Sequence, residues 1–146
     1  STGRQAGDLS PGTRRMKITL GLGCDRHTPA STIAQAIGQA LAAANATPAD
    51  VAGVASIDLK ADEIGLLEVA AQHGWTIDFH PAAALAEVAV PNPSETVRKY
   101  TGTPSVSEAA ALLAANADQT HLIIEKHKLR GPDGRNATVS IARIPE

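Results

Sequence analysis

Apolar residues recur along this chain at two different spacings, and the switch between them predicts the order of its elements. Short apolar or alternating runs bounded by Gly, Pro or Asn are typical of strands, whereas apolar positions three or four residues apart are typical of helices. Strands and helices therefore alternate through most of the sequence, which then closes with a pair of strands. The predicted strands are residues 16–22, 51–57, 75–79, 88–90, 121–125 and 137–144, and the predicted helices are residues 29–44, 61–73, 81–87, 92–100 and 105–117.

Capping residues predict where several of these helices begin and end. Thr28 precedes Pro29, so Thr28 is predicted to be an N-cap with Pro29 at the first helical position. Gly74 is the predicted stop of the second helix. Residues 92–95 and 105–108 are capping boxes, in which a polar side chain and a glutamate three residues later satisfy the first backbone N–H groups.

This order of elements predicts an α/β fold with a single domain. We expect a three-layer α/β/α sandwich with a mixed, mostly parallel sheet, closed by a C-terminal hairpin whose turn contains Gly-Pro-Asp-Gly. Residues 1–15 are rich in Gly, Ser, Arg and Thr without periodicity, so they are predicted to form a flexible N-terminal tail. The folded domain is expected to span residues 16–146.

Composition excludes several classes of protein. The chain has 146 residues, of which 43% are hydrophobic and 19% charged, and its net charge is −2. No apolar run reaches the roughly 20 residues that span a bilayer, and no secretory core is visible, so we expect a cytoplasmic protein without membrane contact. A negative charge and 2% aromatic residues argue against a nucleic-acid partner.

The cysteine and histidine content argues against a metal site. A single cysteine, Cys24, excludes an internal disulfide and a cysteine-based zinc cage. The five histidines have no metal-ligand spacing on one helix face, so we predict no bound metal.

The segment 56–67 places charged residues where an apolar strand passes into an amphipathic helix. Ligands of open α/β sheets bind at such carboxyl ends of strands. Asp58 and Glu63 are candidate general bases and Lys60 a candidate oxyanion partner, which makes these three the candidate catalytic residues. Asp62 and Glu63 also suit a first helical turn, where the helix dipole favours negative charge.

The loop that follows the first strand is a second candidate site. Gly21-Leu22-Gly23 begins a dinucleotide fingerprint, but Arg26 occupies the position of its third glycine, so we predict no nucleotide and no other cofactor. Cys24 is either a nucleophile activated by charged neighbours or a small buried hydrophobe. The candidate ligand-binding residues of this loop are Gly23, Cys24, Asp25, Arg26 and His27.

Two further groups of residues are candidate ligand contacts. Capped helix starts bind anions through their free N–H groups, and a basic arm on the final hairpin (residues 126–135) either protects a sheet edge by charge or clamps an anionic ligand. The candidate residues of these two groups are Asn92, Ser94, Glu95, Ser105, Ser107, Glu108, Lys126 and Lys128; the arm also contains His127, Arg130 and Arg135.

Read in order, the polar segments resemble the CobE/CbiG C-terminal domain family of cobalamin biosynthesis. The matching runs are GlyLeuGlyCysAspArg (21–26), SerIleAspLeuLysAlaAspGluIleGlyLeuLeu (56–67), ValProAsnProSerGlu (90–95) and GlyThrProSerValSerGluAlaAlaAlaLeuLeu (102–113). The closing runs 122–128 and 137–143 also fit, so the resemblance covers residues 16–144.

The resemblance implies an α/β/α fold and a place in corrin ring synthesis. CbiG-type proteins open the lactone of a cobalt-precorrin with release of acetaldehyde and carry an additional N-terminal domain. From its 146 residues, we expect the stand-alone form of the aerobic route, without that domain.

Three hypotheses follow for its activity. The first is a protein that binds or hands over a carboxylate-rich precorrin or corrinoid intermediate. The second is a CbiG-like hydrolase, and the third is an assembly partner of another corrin-pathway enzyme. Under each hypothesis we expect a monomer or homodimer. The first is favoured because Arg and Lys side chains suit ligand carboxylates and no nucleophile stands beside a base in the sequence.

Overall fold

The computed structural model describes residues 17–86 and 106–145. Within these ranges five strands form one sheet, in the order β3-β2-β1-β5-β4. In chain order the elements are β1 (Ile18–Cys24), α1 (Ala30–Ala43), β2 (Val51–Ile57), α2 (Ile64–His73), β3 (Ile77–His80), α3 (Ala82–Ala86), α4 (Val106–Ala115), β4 (Leu122–Arg130) and β5 (Asn136–Arg143).

The sheet is mixed, as predicted. β1, β2 and β3 are parallel neighbours, whereas β5 runs antiparallel to both β1 and β4. The final two strands therefore form the expected hairpin, and β5 is inserted between β4 and the central strand β1. Cys24 at the end of β1 lies opposite Ala137 near the start of β5, which brings the hairpin turn to the carboxyl end of the parallel strands.

One face of the sheet is covered by α1 and α2. Alternate residues of β1 point to this face because side chains of a strand alternate between its two sides. They form one apolar cluster with the buried stripe of α1, which matches the predicted spacing. This cluster includes Ile18, Leu20, Leu22, Ile33, Ile37, Leu41, Val54, Leu66, Val139 and Ile141.

The opposite face is covered by α4, which lies unusually close to β1. A Cβ on Gly21 would stand 1.8 Å from the carbonyl oxygen of Ser107, so only glycine permits this approach. Two residues before Gly21 in β1, the Thr19 hydroxyl donates a buried hydrogen bond of 2.7 Å to the Ala111 carbonyl. With helices on both faces, the three-layer α/β/α prediction is confirmed.

Several predicted boundaries were wrong. Thr28 is not the N-cap of α1: Pro29 takes that place, because the Thr28 hydroxyl donates to the Asp25 carbonyl at 2.7 Å. α2 begins at Ile64 rather than at residue 61, because residues 58–60 form a 3-10 turn that precedes it. Glu63 is consequently an N-cap residue of α2, not part of its first turn.

The remaining differences concern strand ends and segments outside the described ranges. β4 continues to Arg130, five residues beyond the predicted end at residue 125, and β3 covers Ile77–His80 rather than 75–79. Gly74 ends α2 with a φ of 71°, as predicted. The predicted tail 1–15, strand 88–90 and helix 92–100 lie outside the described residues.

Candidate functional site

The ends of β1 and β2 and the start of β5 bring three polar segments together at the carboxyl edge of the parallel strands. The segments are residues 24–28, residues 58–63 and residues 135–136, and we call their assembly the carboxyl-edge site. The first two segments contain candidate residues that were predicted from the sequence. The third segment lies beside them because β5 pairs with β1.

Glu63 joins the first two segments. It is 5% exposed, and its Oε2 accepts a hydrogen bond of 3.0 Å from the backbone N–H of His27. His27 has a φ of 63°, in the left-handed region that few residues other than glycine adopt. The carboxylate therefore stabilises an unusual backbone turn, which directs the exposed His27 side chain outward from the edge.

An exposed ion pair lies beside this contact. Arg26 donates two hydrogen bonds to Asp62, at 2.9 and 3.3 Å, and its nearest nitrogen is 3.8 Å from Glu63. The Arg26 hydrogen bonds and charge hold the pKa of Asp62 below its usual range. Both side chains are more than half exposed, so the pair adds little to stability and can be exchanged for other partners.

Cys24 is a protonated thiol in this environment. Burial raises its pKa from 9.0 to about 11, and the nearby Lys60 charge only partly opposes that effect. Its sulfur lies 4.0 Å from Glu63 Oε2, a long contact in which the thiol is the donor. Since the thiolate is the nucleophilic form, the structure favours the interpretation of Cys24 as a small, partly buried hydrophobe that packs against the core.

Asp25 attaches the loop to the hairpin. Its Oδ2 accepts hydrogen bonds from the backbone and side-chain nitrogens of Asn136, at 2.8 and 3.1 Å. Arg135 donates from Nε to the Arg26 carbonyl at 3.0 Å. Sequence reasoning placed Arg135 only on a basic arm and did not single out Asn136; their proximity depends on the β1–β5 register, which no local pattern reports.

Other predicted site residues lie on the α4 face of the sheet. Ser107 is buried, with its hydroxyl 2.9 Å from that of Ser140. Glu108 is 0% exposed and its carboxylate lies 3.9 Å from Lys126 Nζ. Lys128 pairs with Thr138, which approaches Gly23 on this same face. These residues are therefore separated from the Cys24 side of β1 by the sheet.

The carboxyl-edge site thus contains Cys24, Asp25, Arg26, His27, Asp58, Lys60 and Glu63 of the predicted residues. Gly23 lies in β1 just before it. Asn92, Ser94, Glu95 and Ser105 lie outside the described residues, and their role as ligand contacts stays a prediction. In the described ranges no group of three or more His, Cys, Asp and Glu side chains is arranged to hold a metal ion.

A shallow cleft of about 380 Å³ lies at the other end of α4. It is lined by residues from the end of that helix and from the segment before β4, among them Leu112, Asn116, Asp118 and His121. None of the predicted site residues lines it. No helix in the described parts of the chain is long and apolar enough to cross a membrane.

Comparisons with known proteins agree with this fold. Residues 18–142 match the family described as Cobalamin synthesis G C-terminus. The solved structure of CobE, a protein from the cobalamin biosynthetic pathway, superposes with a TM-score of 0.76 at 25% identity over 94% of this chain and 100% of that one.

Two relatives match at the level of sequence. Protein CobE of a Sinorhizobium species is 40% identical over 111 residues, which are 75% of this chain and 71% of that protein. Cobalt-precorrin-5A hydrolase of Priestia megaterium is 38% identical over 128 residues, 88% of this chain but 32% of the relative. The chain therefore spans about a third of that hydrolase. On the strength of the family match and the CobE relative, the chain belongs to the CbiG C-terminal family of cobalamin biosynthesis proteins.

Proposed function

We propose that this protein binds a carboxylate-rich corrin intermediate at the carboxyl-edge site and hands it on within cobalamin biosynthesis. The observation that carries the proposal is the convergence of three cations, Arg26, Lys60 and Arg135, from three separate segments. Precorrins and corrins are macrocycles fringed with carboxylates. Guanidinium groups bind carboxylates through two parallel hydrogen bonds, and a lysine adds a point charge.

The Arg26–Asp62 pair supports this role. Arg26 already donates two hydrogen bonds to a carboxylate, that of Asp62, and a ligand carboxylate would be bound in the same way. Because the pair is exposed, its replacement by a ligand costs little. Arg135, whose guanidinium also contacts Asp133 at 3.0 Å, is 44% exposed and stands next to the Arg26 backbone.

A CbiG-like hydrolase remains the second candidate, and its support is the match to the Priestia megaterium enzyme. The site offers weak groups for that chemistry. Cys24 is protonated at neutral pH, and the Glu63 carboxylate is engaged by the His27 N–H. Asp58 is exposed. Of the two carboxylates among the candidate catalytic residues, Asp58 and Glu63, it is the one better placed to act as a base.

A titration followed by a mass measurement tests both candidates. The purified protein is added to cobyrinic acid, a corrin with free carboxylates, and the visible absorbance is recorded. The same protein is incubated in excess with a lactone-bearing precorrin, whose mass is then measured. Binding predicts a shifted absorbance band and an unchanged mass.

Two results would contradict the proposal. An unshifted spectrum at protein excess would refute corrin binding. Release of acetaldehyde that Asp58→Asn or Glu63→Gln abolishes would instead establish the hydrolase, because it would assign the chemistry to a carboxylate of this site.

A further inference from the structure

Two large aliphatic side chains of α2 are exposed beside the carboxyl-edge site. Ile64 is 70% exposed and Leu67 is 45% exposed, and in the described ranges they are the large hydrophobic residues with substantial exposure. They are three residues apart in one helix, so their side chains are neighbours on its surface. We call them the Ile64–Leu67 pair.

The fold does not require apolar side chains at these two positions. α2 buries a different stripe, which includes Leu66, Val69 and Ala70, against the core. Gly65 also lies on the inner side, where a Cβ would stand 2.4 Å from the Thr28 carbonyl oxygen. The Ile64–Leu67 pair therefore points away from the core, where polar residues would be equally stable.

The pair adjoins the charged groups of the site. Ile64 directly follows Glu63, and the backbone N–H of Leu67 donates to the Glu63 carbonyl at 3.2 Å. Asp62, one residue further back, is the partner of Arg26. An apolar surface is thus placed next to the Arg26–Asp62 pair, whose cation comes from another segment of the chain.

The size of this surface indicates a small molecule rather than a protein. Two partly exposed aliphatic side chains present on the order of 150 Å² of apolar area. A stable protein–protein interface takes about 800 Å² from each partner. Ligand sites, by contrast, combine a limited apolar surface with a few placed polar groups.

We propose that the Ile64–Leu67 pair is a shelf for the apolar ring face of the corrin ligand, while Arg26, Lys60 and Arg135 bind its peripheral carboxylates. This inference rests on the proposed function and assigns it a second kind of contact. The occupant is an amphiphilic macrocycle with an apolar face and an anionic rim. The shelf removes apolar area from water, so its contribution is independent of the ligand's charge.

Two probes separate the two kinds of contact. Cobyrinic acid carries free carboxylates, and its fully methyl-esterified form keeps the ring but not the charges. The test variant is Ile64→Gln combined with Leu67→Gln, because glutamine preserves length and helix propensity. Ala42→Gln, at an exposed position in the last turn of α1 and away from the carboxyl edge, is the matched control.

The shelf predicts a Kd at least about tenfold higher in the double variant for both probes, with wild-type affinity in Ala42→Gln. Lys60→Ala should weaken binding of the acid alone. Wild-type affinity of the double variant for cobyrinic acid would overturn the shelf and leave corrin binding intact. Failure of the wild-type protein to bind either probe would overturn both proposals.

Sedimentation of the same variants tests the alternative occupant. If the wild-type protein self-associates and the double variant does not, the Ile64–Leu67 pair belongs to an interface between two copies, and the shelf is refuted. An unchanged mass in solution, together with the tenfold loss, supports the shelf.

Discussion

At the scale of single residues, Cys24 shows how burial decides chemistry. Its pKa of about 11 means that a thiol reagent at pH 8 should react with the native protein much more slowly than with a free cysteine. Reaction should reach the free-cysteine rate once the chain is unfolded in denaturant. A native rate equal to the unfolded one would show that the thiol is not protected.

The same shift predicts a pH dependence of stability. The folded protein holds the thiol proton up to about pH 11, whereas the unfolded chain releases it near the ordinary value of 9.0. The free energy of unfolding should therefore contain a contribution that is complete below pH 9 and falls between about pH 9 and 11. Denaturant titrations of wild type and Cys24→Ala at several pH values measure this contribution. It would be contradicted if the free energy of unfolding changed with pH equally in the two proteins between about pH 9 and 11.

Arg26 and Lys60 provide the residue-level prediction for binding. Arg26→Ala and Lys60→Ala should each raise the Kd for cobyrinic acid by about tenfold to a hundredfold, since a hydrogen bond to a charged group contributes about 1.5–3 kcal/mol. Thermal stability should change little, because exposed ion pairs are weak. Asp62→Asn is the matched control: it releases Arg26 and should bind the acid at least as tightly. Unchanged affinity in both alanine variants would remove these cations from the site.

At the scale of elements, the approach of α4 to β1 depends on a missing side chain. Gly21→Ala would place a Cβ 1.8 Å from the Ser107 carbonyl oxygen and force the helix outward, which should destabilise the fold by about 3 kcal/mol. Gly38→Ala, at an exposed position of α1 with nothing within 4 Å of the new Cβ, should instead stabilise it by about 0.5–1 kcal/mol. Urea unfolding measures the stability of both variants. An equal change in the free energy of unfolding would mean that α4 can move away from β1 without loss of stability.

Element identity was predictable here where the spacing of apolar residues was regular. β2 (Val51–Ile57) has the predicted bounds, and the buried residues of α1 recur at the spacing of three or four residues that predicted a helix. Boundaries that depend on tertiary contacts were not predictable. The Thr28 hydroxyl donates to the Asp25 carbonyl instead of capping α1. The Glu63 carboxylate accepts a hydrogen bond from the His27 N–H, which lies on another segment.

The candidate site was predictable to the same degree. Proximity of Cys24–His27 to Asp58–Glu63 follows from two parallel neighbouring strands. The addition of Asn136 depends on the position of β5 in the sheet, and the face on which Ser107 lies depends on how α4 packs. The Ile64–Leu67 pair had a visible signal, namely two apolar residues on the polar side of a helical pattern.

At the scale of the whole molecule, β1 is the central strand of the sheet that the described residues form. It is hydrogen-bonded to β2 on one side and β5 on the other, and Ile18 and Leu20 are 0% exposed. Amide hydrogens of β1 should exchange only with global unfolding, and those of β3 and β4, the outer strands among the described residues, by local opening. Hydrogen exchange followed by NMR measures this; equal protection of β1 and β4 would contradict it.

The insertion of β5 between β1 and β4 also has a consequence for synthesis on the ribosome. β1, β2 and β3 are consecutive parallel strands and can pair as soon as they have emerged, whereas the second edge of β1 has to wait for residues 136–143. Until then the nascent chain carries an open strand edge beside the apolar residues Leu20 and Leu22, an arrangement prone to pairing with other chains. Slow translation through residues 106–135 would prolong that exposure, so the yield of native protein in the cell should depend on codon usage in this stretch and on chaperones that shield the edge of β1.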